Sequence, residues 1–146
     1  GYDLVTGGTD NHLMLIDVTS FGLTGRQAES ALRECGITLN RNSLPGDING
    51  PWYTSGLRIG TPAITTLGMK ETEMEEIASI IKSVLVAAEP SVIANGENAG
   101  TKSRANFTLD ETLKKQANER CRKLLDKFPV YPELDLPFLT THFIME

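Results

Sequence analysis

The run from Lys70 to Ala88 constrains this chain most. Met74, Ile77, Ala78, Ile81, Val84, Leu85 and Ala88 recur there at the spacing of one helix face. Glu71, Glu73, Glu75, Glu76 and Lys82 fill most of the remainder. Such a helix must lay its apolar stripe on a partner surface, and Glu89-Pro90 ends or bends it. A second stripe, Leu109, Leu113, Ala117, Cys121, Leu124, Leu125 and Phe128, predicts a last helix. Thr108 and Glu111 read as its capping box, and Phe128-Pro129-Val130-Tyr131-Pro132 stops it. An earlier helix is marked by a capping box of Thr24 and Gln27, by Ala28, Ala31, Leu32 and Cys35, and by Gly36 just past its end.

The partner surface reads as sheet. Leu4-Val5-Thr6, Leu13 to Val18, Ile37-Thr38-Leu39 and Tyr53 to Ile59 are the predicted strands. The nearly unbroken apolar run at 13–18 predicts a strand covered on both faces. Thr61 caps and Pro62 opens a short helix that Gly68 ends. Asn40 to Trp52 reads as a loop. Residues 89–107, rich in Asn, Gly, Ser and Ala, read as a flexible linker within a domain of residues 1–131, and 132–146 read as an extended tail. The expected fold class is α+β, sandwich-like: a small mixed sheet of three or four strands with helices on one face. Parallel neighbours in it would need right-handed crossovers.

A length of 146 residues suits one domain with a real core. The net charge is −5, and the basic residues are scattered, so no basic stripe marks a nucleic-acid partner. No apolar run approaches the roughly 18 residues of a membrane span. Gly1 to Val5 shows neither the basic region nor the apolar core of a signal, so secretion is not expected. Cys35 and Cys121 read as buried thiols of a reducing compartment rather than a disulfide framework. His12 and His142 have no Cys/His cluster about them, so no metal site is expected.

Three polar segments are candidates for chemistry. Gly7 to His12 reads more readily as a tight turn with Asx-type bonds than as a site, and nothing local pairs His12 with a nucleophile. Asn40 to Asp47 offers carboxamides, which donate and accept as a heterocycle edge requires, yet the same residues are ordinary turn formers. In Thr54 to Ala63, Arg58 lies between two aliphatic residues of a strand. Its guanidinium fork fits a ligand carboxylate, and equally a structural salt bridge. Gly56 and Gly60 would let other groups approach the backbone.

The runs GGTDNHLMLIDV, LNRNSLPGD and TSGLRIGTPAITTLGMKETEMEEIA, in this order, resemble the C-terminal part of serine hydroxymethyltransferase. Phe128-Pro129-Val130-Tyr131 resembles that family's usual finish, so the resemblance covers most of residues 1–131. It implies the C-terminal small domain of a fold-type I pyridoxal-phosphate enzyme that interconverts serine and glycine, with tetrahydrofolate as one-carbon acceptor. It implies that Arg58 grips the amino-acid carboxylate and that Asn42 hydrogen-bonds the folate pterin. Asp10, Asn11 and His12 match a family signature and are expected to be structural, near the domain junction.

The chain also departs from the family pattern. The Schiff-base lysine of the family lies in a Thr-rich segment ending in His-Lys, which these residues lack. Lys70, Lys82, Lys102, Lys114, Lys115, Lys123 and Lys127 all fall on predicted helices or in the Gly/Asn-rich segment. The phosphate-binding loop and the aspartate that pairs the pyridine nitrogen are not found either. Trp52 stands where phenylalanine is more usual, 91–107 is longer than in short bacterial forms, and the tail after Tyr131 has no counterpart in the pattern. The expectation is a chain with no catalytic residue of its own, inactive alone. It would work with a large domain missing from these residues, in a cytoplasmic homodimer or tetramer, with exposed apolar surface where that domain docks. The alternative is a non-catalytic, truncated binding or interaction module of the same fold.

Overall fold

Val18, Leu32, Leu57, Ile80, Val84 and Leu85 are fully shielded from solvent and come from both sheet and helices. Around them the computed structural model describes residues 2–143. The elements are β1 (Asp3–Leu4), β2 (Leu13–Asp17), α1 (Gly25–Glu34), β3 (Asn40–Asn42), α2 (Gly50–Tyr53), β4 (Gly56–Gly60), α3 (Pro62–Thr66), α4 (Glu71–Ala87), β5 (Glu89–Val92), β6 (Lys102–Thr108), α5 (Glu111–Lys127) and α6 (Leu136–Phe143). The fold is α+β. One sheet has the order β1-β2-β4-β3, and β5 and β6 form a separate hairpin.

Every pairing is antiparallel, which corrects the mixed sheet expected from sequence. β4 runs against both of its neighbours, so β2 and β3 run the same way on either side of it, and the connection through α1 crosses over the place that β4 fills. Ile16 lies opposite Leu57, and both are buried in the core shared with Ala28 and Leu32 of α1 and Ile80 and Val84 of α4. Leu15 and Arg58, opposite each other one residue along, therefore point to the other side of the pleat. That side is partly open: Leu13 is 37% exposed and Leu15 half-buried, so β2 is not covered on both faces.

The first helix and α4 follow their sequence signals closely, whereas Thr61 precedes α3 without a side-chain cap. Thr24 and Gln27 form the capping box of α1, and α4 occupies Glu71–Ala87 with Ile80, Ile81, Val84 and Leu85 buried. Cys35 is buried at the end of α1, and burial pushes its thiol up to about 11. Cys121 on α5 is half-buried, and both thiols are free. Arg120 of α5 grips Glu76 of α4 with two donors, Nε to Oε1 at 2.7 Å and Nη2 to Oε2 at 2.9 Å. Of the α5 stripe, Ala117 is buried, whereas Leu125 is half exposed.

Several boundaries differ from expectation. Ile37 to Leu39 is not a strand: the Ile37 amide closes back on Leu32 O, and pairing begins only at Asn40. Gly50–Tyr53 is a turn of helix with Pro51 near its start, so β4 begins at Gly56 rather than Tyr53. The N-cap of α5 is Asp110, which accepts from the amides of Thr112 and Leu113, while Thr108 is still in β6. The tail holds helix α6 where an extended segment was expected, and the Asp135 carboxylate accepts from the Phe138 amide near its start. Residue 1 and residues 144–146, at the two ends of the expected domain and tail, lie outside the described residues.

The largest difference is at 89–107, expected as a flexible linker. It is a hairpin in which Glu89 pairs with Thr108 and Pro90 with Phe107, and only its tip carries the loop composition. The anchor is long-range. The buried Gln27 amide donates to Ser103 O and to Asn106 O, both at 2.8 Å, and Thr24 Oγ1 donates to Arg104 O at 2.8 Å. Buried polar groups need such partners, and here the partners are strand carbonyls.

Gly25 opens α1 where three segments crowd. Its amide donates to Thr54 O at 2.9 Å. A β-carbon there would stand 2.1 Å from Thr54 Oγ1 and 2.6 Å from Gly56 O. Gly25→Ala is therefore expected to cost about 1–3 kcal/mol in thermal or urea unfolding, as overpacking does. Gly8→Ala, where a β-carbon meets open space, is expected to stay within about 0.5 kcal/mol of the parent.

Candidate functional site

Arg58 sits mid-strand in β4, opposite Leu15 on β2 and Asn40 on β3. Its side chain is exposed, and Nη2 donates to Asn40 Oδ1 at 3.3 Å. Among the described residues no carboxylate lies within salt-bridge distance of it. The structural salt bridge left open by the sequence is thus not made. A guanidinium fork with one weak carboxamide contact is ready for an anion from outside.

Asn42 lies two residues along β3 from Asn40 and opposite Gly56. Alternation puts it on the Arg58 side of the sheet. Its Nδ2 donates to Ser43 O at 2.8 Å, and its Oδ1 has no protein donor among the described residues. The two residues singled out from sequence therefore share one face, two register steps apart. Gly56 admits the close approach expected of it. A β-carbon on it would meet Leu44 Cδ2 at 2.3 Å and Asn42 O at 3.0 Å, so the approaching group is the next loop, not a ligand.

That loop is closed by a residue whose role sequence reasoning missed. Asp47 Oδ2 accepts from the amides of Leu44 at 3.0 Å and Ser55 at 2.8 Å. Its Oδ1 accepts from the Asn49 amide at 2.8 Å and Ser55 Oγ at 2.7 Å. Burial works against the charge. The Ser55 hydroxyl and the amides of Asn49, Leu44 and Ser55 outweigh it and hold the carboxyl below its usual range. Arg104 of β6 adds donors to Asn49 O and Oδ1 at 2.9 and 3.0 Å. The signal was present as an Asx pattern, Asp47 two residues before Asn49, but nothing in it named Ser55 as the far partner.

Thr54, between α2 and β4, is buried with φ 57° and ψ 166°. That region favours glycine and costs of order 1–3 kcal/mol for another residue. Thr54 is held there because its amide donates to Gly50 O and its carbonyl accepts from Gly25, both at 2.9 Å. Arg58 follows only four residues later.

Beside Arg58 opens a groove of about 570 Å³. His12, Asn40 and Arg58 give it polar lining, and Ile59, Ile80 and Leu124 give it apolar walls. His12 ends a tight turn in which Asn11 Oδ1 accepts from the Leu13 amide at 2.8 Å, in keeping with a structural segment. Around the β3 edge, Trp52 is 62% exposed, with the guanidiniums of Arg26 and Arg41 5.3 and 5.8 Å from its ring centre.

An aldehyde cofactor would need a lysine near this face. Lys70, Lys82, Lys114, Lys115, Lys123 and Lys127 lie on or at the ends of α4 and α5, and Lys102 is on the hairpin. None is on the four-stranded sheet that carries Arg58. Among the described residues no lysine lines the groove beside Arg58 either, so the residues there do not fit a covalent pyridoxal-phosphate site. Among the described residues no group of three His, Cys, Asp or Glu is arranged to hold a metal, and no helix is long and apolar enough to cross a membrane.

Fold and face together define an α+β module that presents an arginine and a carboxamide from adjacent antiparallel strands. Comparison with known proteins narrows this. The family model for serine hydroxymethyltransferase matches residues 1–81, and the chain belongs to that family. It is 57% identical to a serine hydroxymethyltransferase of Treponema pallidum (strain Nichols) over 143 residues, 98% of the chain and 24% of the relative. It is 51% identical to that of Salinispora tropica over 136 residues, 93% of the chain and 28% of the relative. It is 50% identical to that of Chlamydia muridarum over 139 residues, 95% of the chain and 27% of the relative. The chain thus spans about a quarter of the length of these relatives. A match over 143 residues also takes in most of the tail after Tyr131, for which the sequence pattern offered no counterpart.

Asp47 generates a prediction with a definite sign. A lowered native value means its stabilisation is full above the ordinary carboxyl value of 3.8 and is lost as pH falls below it. The stability gap between the parent and Asp47→Asn is expected to narrow between neutral pH and about pH 2.5, read by urea melts. A gap independent of pH would show that the charge does not anchor the loop.

Proposed function

We propose that this chain acts as the small-domain part of a pyridoxal-phosphate-dependent serine hydroxymethyltransferase. The reaction is the interconversion of serine and glycine, with tetrahydrofolate as the one-carbon acceptor. The observation that carries the reading is Arg58, exposed on an inner strand of a matched family segment and with no carboxylate partner among the described residues. Its role is to take the α-carboxylate of the amino acid. Two parallel N–H···O bonds fix both position and rotation of that group, so one bond at the α-carbon is held in a chosen direction. Pyridoxal phosphate, held by residues outside this chain, supplies an electron sink for the chemistry when bound.

Asn42, on the same face, is read as the contact to the folate pterin. A carboxamide donates and accepts side by side, which matches a heterocycle edge. The partners are the remainder of the same enzyme and further copies of it in a dimer or tetramer, in the cytoplasm. Serine, glycine and folate are the ligands.

In the complete enzyme Arg58→Ala is expected to raise the serine KM about a hundredfold, or roughly 2.7 kcal/mol. Arg58→Lys is expected to recover only part of this, because an ammonium lacks the fork. Unchanged serine affinity in Arg58→Ala would overturn the assignment. The 146-residue chain alone is expected to show no turnover and, after incubation with pyridoxal phosphate and borohydride reduction, no lysine labelled in preference to the others. Selective labelling of one lysine would refute that. Submillimolar binding of serine or a folate by the isolated chain in calorimetry would favour the binding-module alternative.

A further inference from the structure

We infer that Asp47 is a positioning residue for the folate contact: it sets where Asn42 stands relative to Arg58, without touching either ligand. The inference rests on the reading of Asn42 given above. Its basis is how differently the two strands are held. Arg58 is on β4, which is hydrogen-bonded to β2 on one side and β3 on the other. Its backbone is fixed by the sheet. Asn42 is the last residue of β3, an edge strand of three residues paired on one side only. On its outer side β3 is tied at Arg41, whose amide and guanidinium donate to the Glu29 carboxylate of α1 at 3.3 and 2.9 Å, and past Arg41 the position of Asn42 depends on the chain that follows it.

The chain beyond Asn42 is the loop closed by Asp47. Leu44 comes two residues after Asn42, and its amide is bound by Asp47 Oδ2. The same oxygen binds the Ser55 amide, and Oδ1 binds the Ser55 hydroxyl, so both ends of the loop meet on one carboxylate. Ser55 directly precedes Gly56, the register partner of Asn42. The Leu44 side chain is thereby pressed over Gly56, which has no β-carbon to resist it. Loss of Asp47 releases Leu44 and the end of β3 but leaves the β2–β4 ladder, and so Arg58, intact.

The test is a double-mutant cycle in the complete holoenzyme, reading KM for tetrahydrofolate and for serine separately. Asn42→Ala and Asp47→Ala are each expected to raise the folate KM about five- to tenfold, with the serine KM within about twofold of the parent. The double variant is expected to be no worse than Asn42→Ala alone, because Asp47 acts through Asn42. A merely structural role for Asp47 predicts multiplied effects, or parallel rises in both KM values, and either result overturns the inference. So does an unchanged folate KM in Asp47→Ala beside a raised one in Asn42→Ala, an outcome that leaves the reading of Asn42 standing. An unchanged folate KM in Asn42→Ala overturns that reading and the inference with it. Where Asp47→Ala fails to fold, Asp47→Asn takes its place in the cycle, with an intermediate rise expected because one oxygen can still accept.

Discussion

The burial of Leu57 is the interaction on which the candidate site depends. Leu57 is fully enclosed against Ile16, α1 and α4. In a pleated strand its neighbour must then face the other way, and that neighbour is Arg58. A slip of one residue in β4 would drive a guanidinium into the core and bring Leu57 out, which no local rearrangement could offset. The hydrophobic core thus fixes the sign of the sheet face before any polar contact is made. Asn40 and Leu15 then set the lateral position of Arg58 through the ladder.

A second layer of constraint is polar and long-range. Gln27 is nearly as buried as the core leucines, yet its amide is spent on two carbonyls of β6. The same residue accepts from the Thr24 amide through Oε1, so one side chain caps α1 and fastens the hairpin. Arg104 extends that link from β6 to Asn49 and hence to the loop closed by Asp47. Hairpin, first helix and loop are joined by hydrogen bonds between residues about 55 to 80 apart in the chain.

What could be read from sequence was local. The α1 capping box, the apolar stripe of α4 and the proline that ends it are short-range devices, and each appears where its residues placed it. The α+β class follows from such signals, and Arg58 and Asn42 were singled out by a resemblance carried by contiguous motifs; their shared face was not legible, because Asn40 to Asn42 read as loop and becomes a strand only by pairing with β4. The errors lie where a distant partner decides. Residues 89–107 have loop composition, but the carbonyls of 103, 104 and 106 find Thr24 and Gln27, and the segment becomes sheet. Thr108 has the right spacing for a cap, yet it pairs with Glu89, and the capping falls to Asp110. Asp47 looked like one more turn former because its decisive partner, Ser55, is eight residues away.

Thr54 has a consequence for how this segment can be exchanged between proteins. One of the two bonds that hold its torsions exists because the backbone of residue 25 comes close enough to bond its carbonyl, and residue 25 has no side chain to prevent it. The loop of residues 43–55 is therefore not a portable cassette. Its shape is specified in part by a glycine that lies near the start of a helix some thirty residues earlier. A chimaera that carries the loop without that glycine inherits the residues but not the geometry. Position 25 belongs to the loop in every sense except its place in the sequence.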